Sequence, residues 1–69
     1  MSTRITIPAR IKAYRRRLGL TQAEFAALFG VSFQAVSKWE RGECYPDITF
    51  LPALALVLGC SVDDFFEER

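Results

Sequence analysis

Residues Leu20–Gly42 read LTQAEFAALFGVSFQAVSKWERG. Two helices and a tight turn are written into this stretch. Thr21-Gln22-Ala23-Glu24 is a capping box, in which the threonine hydroxyl accepts from the Glu24 amide and the glutamate reaches back to the Thr21 amide. Phe25, Leu28 and Phe29 follow at helical spacing as an inward stripe, and Gly30 closes the helix. Ser32 caps the next helix only two residues later, Val36 and Trp39 point inward, and Gly42 ends it. Ala26 and Gly30 are small where the second helix has to approach the third at a large angle.

The third helix has an outer face that cannot be core. On a 3.6-residue period Phe33, Gln34, Ser37, Lys38 and Arg41 fall together. Most are polar, with hydrogen-bonding groups of the kinds that read base edges: Lys38 can donate to guanine O6 or N7, and Gln34 can pair bidentately with adenine. The start of the second helix, at Thr21 and Gln22, offers backbone N–H groups and a positive dipole end, a natural phosphate seat.

The flanking sequence is helical too. Pro8 suits the first turn of an opening helix, with Ile11, Tyr14 and Leu18 as its apolar stripe, Arg10, Lys12, Arg16 and Arg17 off it, and Gly19 as its end. Asp47 after Pro46 caps a fourth helix with Ile48, Leu51, Leu54, Ala55 and Leu58 on its buried face. Pro52 leaves two possibilities there, a kinked start or a later one. Ser61 caps a short fifth helix that ends near Phe65 and Phe66. No alternating strand pattern of useful length occurs. The expected fold is all-α: one compact five-helix domain over residues 1–69, with its core at about residues 9–66.

Composition narrows the function. With 51% hydrophobic and 13% aromatic residues the chain is not a disordered segment. Its net charge is only +1, but residues 1–43 carry eight basic and three acidic side chains, whereas residues 44–69 carry one basic and five acidic. Such polarity suits one anion-facing end, although two ordinary solvated surfaces would look the same. There is no histidine and no CxxC; Cys44 and Cys60 stand sixteen residues apart. That excludes a zinc finger or a Cys-His pair within the chain. Without a nucleophile–base pair or a phosphate-cradling glycine loop, no enzyme is expected, and no cofactor or metal. The mainly apolar run Phe50–Cys60 contains Pro52 and is too short for a membrane span, and no secretory pattern opens the chain, so a reduced cytoplasmic setting is expected.

Taken together, Thr-Gln-x-x-Phe-Ala, Gly, Val-Ser, Val-Ser-x-Trp-Glu-x-Gly and Leu-x-x-Leu-Ala-x-x-Leu resemble the helix-turn-helix of the phage repressor and Cro (Xre) family. The likeness runs from about Ile11 to Phe66. It implies a sequence-specific regulator of transcription, chiefly a repressor, with the helix over residues 32–41 in the major groove of duplex DNA. It also implies two-fold homodimers on palindromic operators, in a prokaryotic or phage-like, nucleoid-associated setting. Carried over by position, Ser32, Phe33, Gln34 and Lys38 match base-reading residues. Gln22 matches one that meets the DNA backbone and steadies the reader. Thr21 and the loop holding Tyr45 match phosphate-contacting positions, and Arg15 matches the partner of Glu40 in an ion pair.

Ser37 and Arg41 join this site from the outer face of the third helix, and Arg15 and Arg16 from the basic end of the first. Two departures stand out. Phe33 puts a ring where better-known members have a polar reader; it can meet thymine methyls or fold back on the second helix. The loop after Gly42 holds Glu43, Cys44 and Tyr45 and no basic residue, where the phage relatives are basic. Phe65 and Phe66 are adjacent, so both cannot face one core; one is expected inside and the other available to a dimer partner. The rival reading on the same fold is a protein-interaction module, such as an antitoxin-like partner.

Overall fold

A computed structural model describes residues 2–68 of the chain. Four helices pack around one core: α1 (Ile7–Leu18), α2 (Gln22–Ala27), α3 (Phe33–Arg41) and α4 (Leu51–Leu58). Two three-residue strands, β1 (Thr3–Ile5) and β2 (Phe66–Glu68), pair antiparallel with Thr3 opposite Glu68, Arg4 opposite Glu67 and Ile5 opposite Phe66. The core is Ile7, Ile11, Phe25, Ala26, Val36, Trp39, Leu54, Ala55 and Phe65. Tyr14 meets Phe25 edge-on at 5.8 Å, and Phe50 lies between Phe29 and Trp39 at 6.5 and 6.4 Å.

Several expectations from the sequence need correction. The fifth helix is a 3₁₀ turn, Val62–Phe65, that runs straight into β2. Ser61 still caps it, its N–H donating to Asp64 Oδ2 at 2.9 Å. The fourth helix takes the later of its two possible starts. Asp47 caps a separate 3₁₀ turn, Ile48–Phe50, by accepting from the Thr49 N–H and hydroxyl, and Pro52 sits harmlessly in the first turn of α4. Ile48 therefore lies off the buried face and is exposed.

The apolar stripe of α1 begins one turn earlier than expected, at Ile7; Leu18, in the last turn, is exposed. Leu28 is exposed because α2 is over by Ala27. Its N–H and that of Phe29 donate three residues back, to Phe25 and Ala26, which tightens the turn and rotates Leu28 out. Phe29 keeps the inward direction with Phe25, half-buried against it at 5.3 Å. Gly30 has φ +66°, and a Cβ built on it would meet nothing within 4 Å. A left-handed backbone in the turn, not a close helix approach, requires this glycine. Ala26, by contrast, is buried at the seam with α3 as expected.

Thr6 ties the two ends together. It caps α1, is almost fully buried, and its N–H donates to the Phe65 carbonyl at 2.8 Å. Its hydroxyl donates to the Asp64 carbonyl at 2.7 Å and accepts from Arg10 Nε at 3.0 Å. The exposed Arg4–Glu67 pair across the ribbon, at 3.8 Å, adds little by comparison. Cys44 and Cys60 are both free thiols, and among the described residues no helix is long and apolar enough to cross a membrane.

Thr6→Val keeps the shape and removes the hydroxyl, leaving Arg10 Nε and the Asp64 carbonyl without it. Urea denaturation should show a loss of about 1–2 kcal/mol. An unchanged midpoint would mean that the bonded ends contribute nothing to stability.

Candidate nucleic-acid interface

The sequence dictates how α3 is held before it dictates what α3 presents. Ser32 Oγ accepts the Ala35 N–H at 3.2 Å and starts the helix; Gly42, at φ +71°, ends it. Val36, Trp39 and Glu40 form the buried inner face. Glu40 is an acid at 4% exposure, so it needs partners. Arg15 supplies two: Nε donates to Oε2, and Nη2 donates to Oε1 at 2.8 Å. Arg15 Nη1 donates to the Leu20 carbonyl at 2.9 Å, and Gln22 Nε2 donates to Glu40 Oε1 at 3.2 Å. One guanidinium thus joins α1, the turn before α2, and α3.

The expected Arg15–Glu40 pair is present, with side-chain exposures of 18% and 3%. Burial pushes the Glu40 carboxyl up, but the hydrogen bonds from Arg15 and Gln22 and the charges of Arg15 and Lys12 outweigh it and hold the group below its ordinary value. The bond to Glu40 correspondingly raises Arg15. Sequence reasoning missed the Leu20 carbonyl and the Gln22 amide as members of this network. A carbonyl has no sequence signal, and Gln22 was assigned outward to DNA.

The outer face of α3 gathers the predicted residues. Ser32, Phe33, Gln34, Lys38 and Arg41 are exposed, and Ser37 is half-buried. Phe33, at 52% exposure, stands outside the packed core. Arg41 is engaged within the protein: Nη1 donates to Ser37 Oγ and Nε to Glu43 Oε2. The hydrogen bond and charge of Arg41 pull the Glu43 carboxyl down, as does the charge of Lys38. Glu43 therefore offsets positive charge at the end of this outer face. The Arg-x-Glu spacing carried that signal. Tyr45 is exposed, and its hydroxyl lies 3.8 Å from where a Cβ on Gly42 would be, so the ring folds back against the end of α3.

At the start of α2 the capping box is closed in both directions. The Thr21 N–H donates to Glu24 Oε1 at 2.8 Å, and the Glu24 N–H donates to Thr21 Oγ1 at 3.0 Å. The Gln22 and Ala23 N–H groups are left for an outside acceptor. Glu24 stands at the same end, its carboxyl held below the ordinary value by the Thr21 amide. This end of α2 thus offers two amides, with a carboxylate at its rim. Of the basic residues on α1, Lys12 lies within about 60° of Arg15, Arg10 and Arg17 lie on the opposite side, and Arg16 falls midway between Arg15 and Arg17.

A helix-turn-helix family model matches residues 11–65. The chain belongs to this helix-turn-helix family. It is of the phage repressor and Cro type: repressor protein C2 of Salmonella phage P22 is 44% identical over 54 residues, which cover 78% of this chain and 25% of that protein. The helix-turn-helix regulator DicA of Escherichia coli is 42% identical over 57 residues, 83% of this chain and 42% of DicA. The chain thus spans less than half the length of these two relatives. A crystal structure of the P22 c2 repressor in complex with synthetic operator 9T superposes with a TM-score of 0.74 at 41% identity, covering 86% of this chain and 89% of that one.

Removing one member of the clamp leaves the other buried and charged. Glu40→Gln and Arg15→Ala should each cost about 3 kcal/mol at neutral pH, the lower end for buried pairs because Arg15 keeps some exposure. The sign with pH follows from the depressed Glu40 value. Its contribution is full above the unfolded pKa of about 4.3 and is lost as pH falls through the folded value. Denaturation midpoints of wild type and Glu40→Gln should therefore converge in acid; a constant gap down to low pH would contradict the assignment.

Proposed function

We propose that this protein is a sequence-specific repressor of transcription that binds a palindromic operator as a homodimer, with α3 in the major groove. The observation that carries this reading is the two-sided construction of α3. Its inner face is locked by Val36, Trp39 and the Arg15–Glu40 clamp, while its outer face exposes Ser32, Phe33, Gln34 and Lys38. A rigid helix with an exposed polar face and no partner in the fold is built to meet something outside. The likeness to a repressor solved with operator DNA supports duplex DNA as that partner.

The roles follow from side-chain chemistry. Lys38 donates to guanine O6 or N7, Gln34 pairs with adenine, the exposed Phe33 ring meets thymine methyls, and Ser32 and Ser37 add hydrogen bonds. The Gln22 and Ala23 amides, the Thr21 hydroxyl, Arg16 and Tyr45 meet phosphates. Arg15 supports the site through the clamp. Arg41, bonded to Ser37 and Glu43, keeps further guanidinium donors for a phosphate, with the Glu43 charge opposing the contact. Dimerisation sets two α3 copies about 34 Å apart, one helical turn of DNA. Phe65 is fully buried in the core and Phe66 is 44% exposed, so Phe66 is the member of the pair open to a partner. With few phosphate contacts per subunit, affinity leans on pairing and on base contacts more than on charge.

Selection of bound duplexes from a random pool, repeated with Gln34→Ala and Lys38→Ala, tests this. Each variant should relax preference at one or two base positions per half-site and lose about 1–3 kcal/mol there. A uniform loss across all positions would reduce both residues to phosphate contacts. No enrichment at low salt, beside a stable protein partner, would overturn the reading.

A further inference from the structure

Arg10, Ala13, Tyr14 and Arg17 recur at helical spacing along one side of α1 and, with Leu58 of α4, enclose a depression of about 170 Å³. Its lining combines the Tyr14 ring and the aliphatic Ala13 and Leu58 with the side chains of Arg10 and Arg17. Arg17 lies 5.6 Å from the centre of the Tyr14 ring, and Arg10 is fixed by its bond to Thr6. At about 100° per residue, Arg10 and Arg17 lie about 140–160° around α1 from Arg15, which faces α3. These two cations therefore do not serve the reading face. The depression is smaller than the ~300–1,000 Å³ of small-molecule sites, so it suits a single side chain of a larger partner.

The fitting segment is on the same molecule. The Thr6 hydroxyl bridges Arg10 and the Asp64 carbonyl, so the turn leading into β2 starts beside the groove. β2 then presents the exposed Phe66 followed by the exposed Glu67 and Glu68. Glu67 is paired with Arg4, whereas Phe66 and Glu68, two apart on β2, share one face, and a ring beside a carboxylate is the chemical complement of an apolar surface flanked by guanidiniums. Within one copy the segment is paired with β1 and does not line the groove.

We propose that the Arg10–Tyr14–Arg17–Leu58 groove receives the Phe66–Glu68 segment of a second copy of this chain, which accepts the first copy's segment in return. Because groove and segment are neighbours, a two-fold axis closes both contacts at once. The Phe66 ring covers Tyr14 and Leu58, and Glu68 meets Arg17. The contact concerns association between copies in solution and stands apart from operator reading by α3, although it supplies a surface for the dimer proposed above.

A charge swap tests it. Arg17→Glu and Glu68→Arg alter exposed residues; because Arg17→Glu also gives up the contact with the Tyr14 ring and a cation in the last turn of α1, association is compared at a temperature where circular dichroism shows every variant folded. In sedimentation equilibrium the wild type should associate in the micromolar range, less so at high salt. Each single variant should weaken self-association by about tenfold or more, through like charges brought together. An equimolar mixture of the two variants should associate again, because each groove then meets an oppositely charged segment. Association indifferent to both substitutions, a mixture that stays monomeric, or a wild type monomeric at high micromolar concentration would overturn the contact. Duplex selection run on the same variants separates the outcomes: specific DNA binding that survives loss of association leaves α3 reading intact and removes only this surface.

Discussion

A single guanidinium between three segments governs the geometry of this domain. Arg15 holds Glu40 of α3 with two donors and the Leu20 carbonyl with a third, and Gln22 completes the acid's shell from the start of α2. Apolar packing by Val36 and Trp39 fixes how deep α3 sits, but dispersion is tolerant of rotation. A bidentate carboxylate–guanidinium bond is not. The ion pair adds little net stability once desolvation is counted. Its effect is on direction: it sets the roll of α3 about its own axis, and so which side chains look outward.

That outward surface is partly prepared and partly self-occupied. Phe33, Gln34 and Lys38 are exposed without needing to move. Ser37, Arg41 and Glu43 instead form a chain of internal bonds across the C-terminal end of α3. The negative charge of Glu43 opposes an anion approaching Arg41, and Glu24 does the same at the start of α2. Both acids weaken attraction to any polyanion, specific or not. In the proposed role, discrimination would rest on base-edge contacts near Ser32, Gln34 and Lys38, with less help from a general electrostatic pull.

What could be read in the sequence was whatever repeats or closes locally. The Thr21–Glu24 box, the Ser32 cap, and the inward Val36 and Trp39 all follow from spacings of three and four, and the structure contains each of them. The Arg15–Glu40 pair joins residues twenty-five apart and came from family resemblance, since no local pattern encodes it. Periodicity misled at the helix ends. Leu18, Leu28 and Ile48 fit a stripe on paper, but Leu18 falls in the last turn of α1, and Leu28 and Ile48 fall in a turn and a 3₁₀ segment where the 100° step no longer holds. The β1–β2 ribbon was invisible because three residues are too few to show alternation, and Thr6 because a buried threonine looks like any cap.

Thr6 has a kinetic meaning as well. Its bond to the Asp64 carbonyl closes a loop of 58 residues, whereas α1, α2 and α3 are successive neighbours in the chain. Closing so long a loop is entropically expensive before the contact returns anything, so such contacts form late and open early. The ribbon and the 3₁₀ turn beside it are thus the natural first unit to unzip, exchanging their amide hydrogens while the clamp around Glu40 stays shut. The module that presents α3 can persist through fluctuations that release the two ends, which separates the durability of the reading surface from that of the domain's seam.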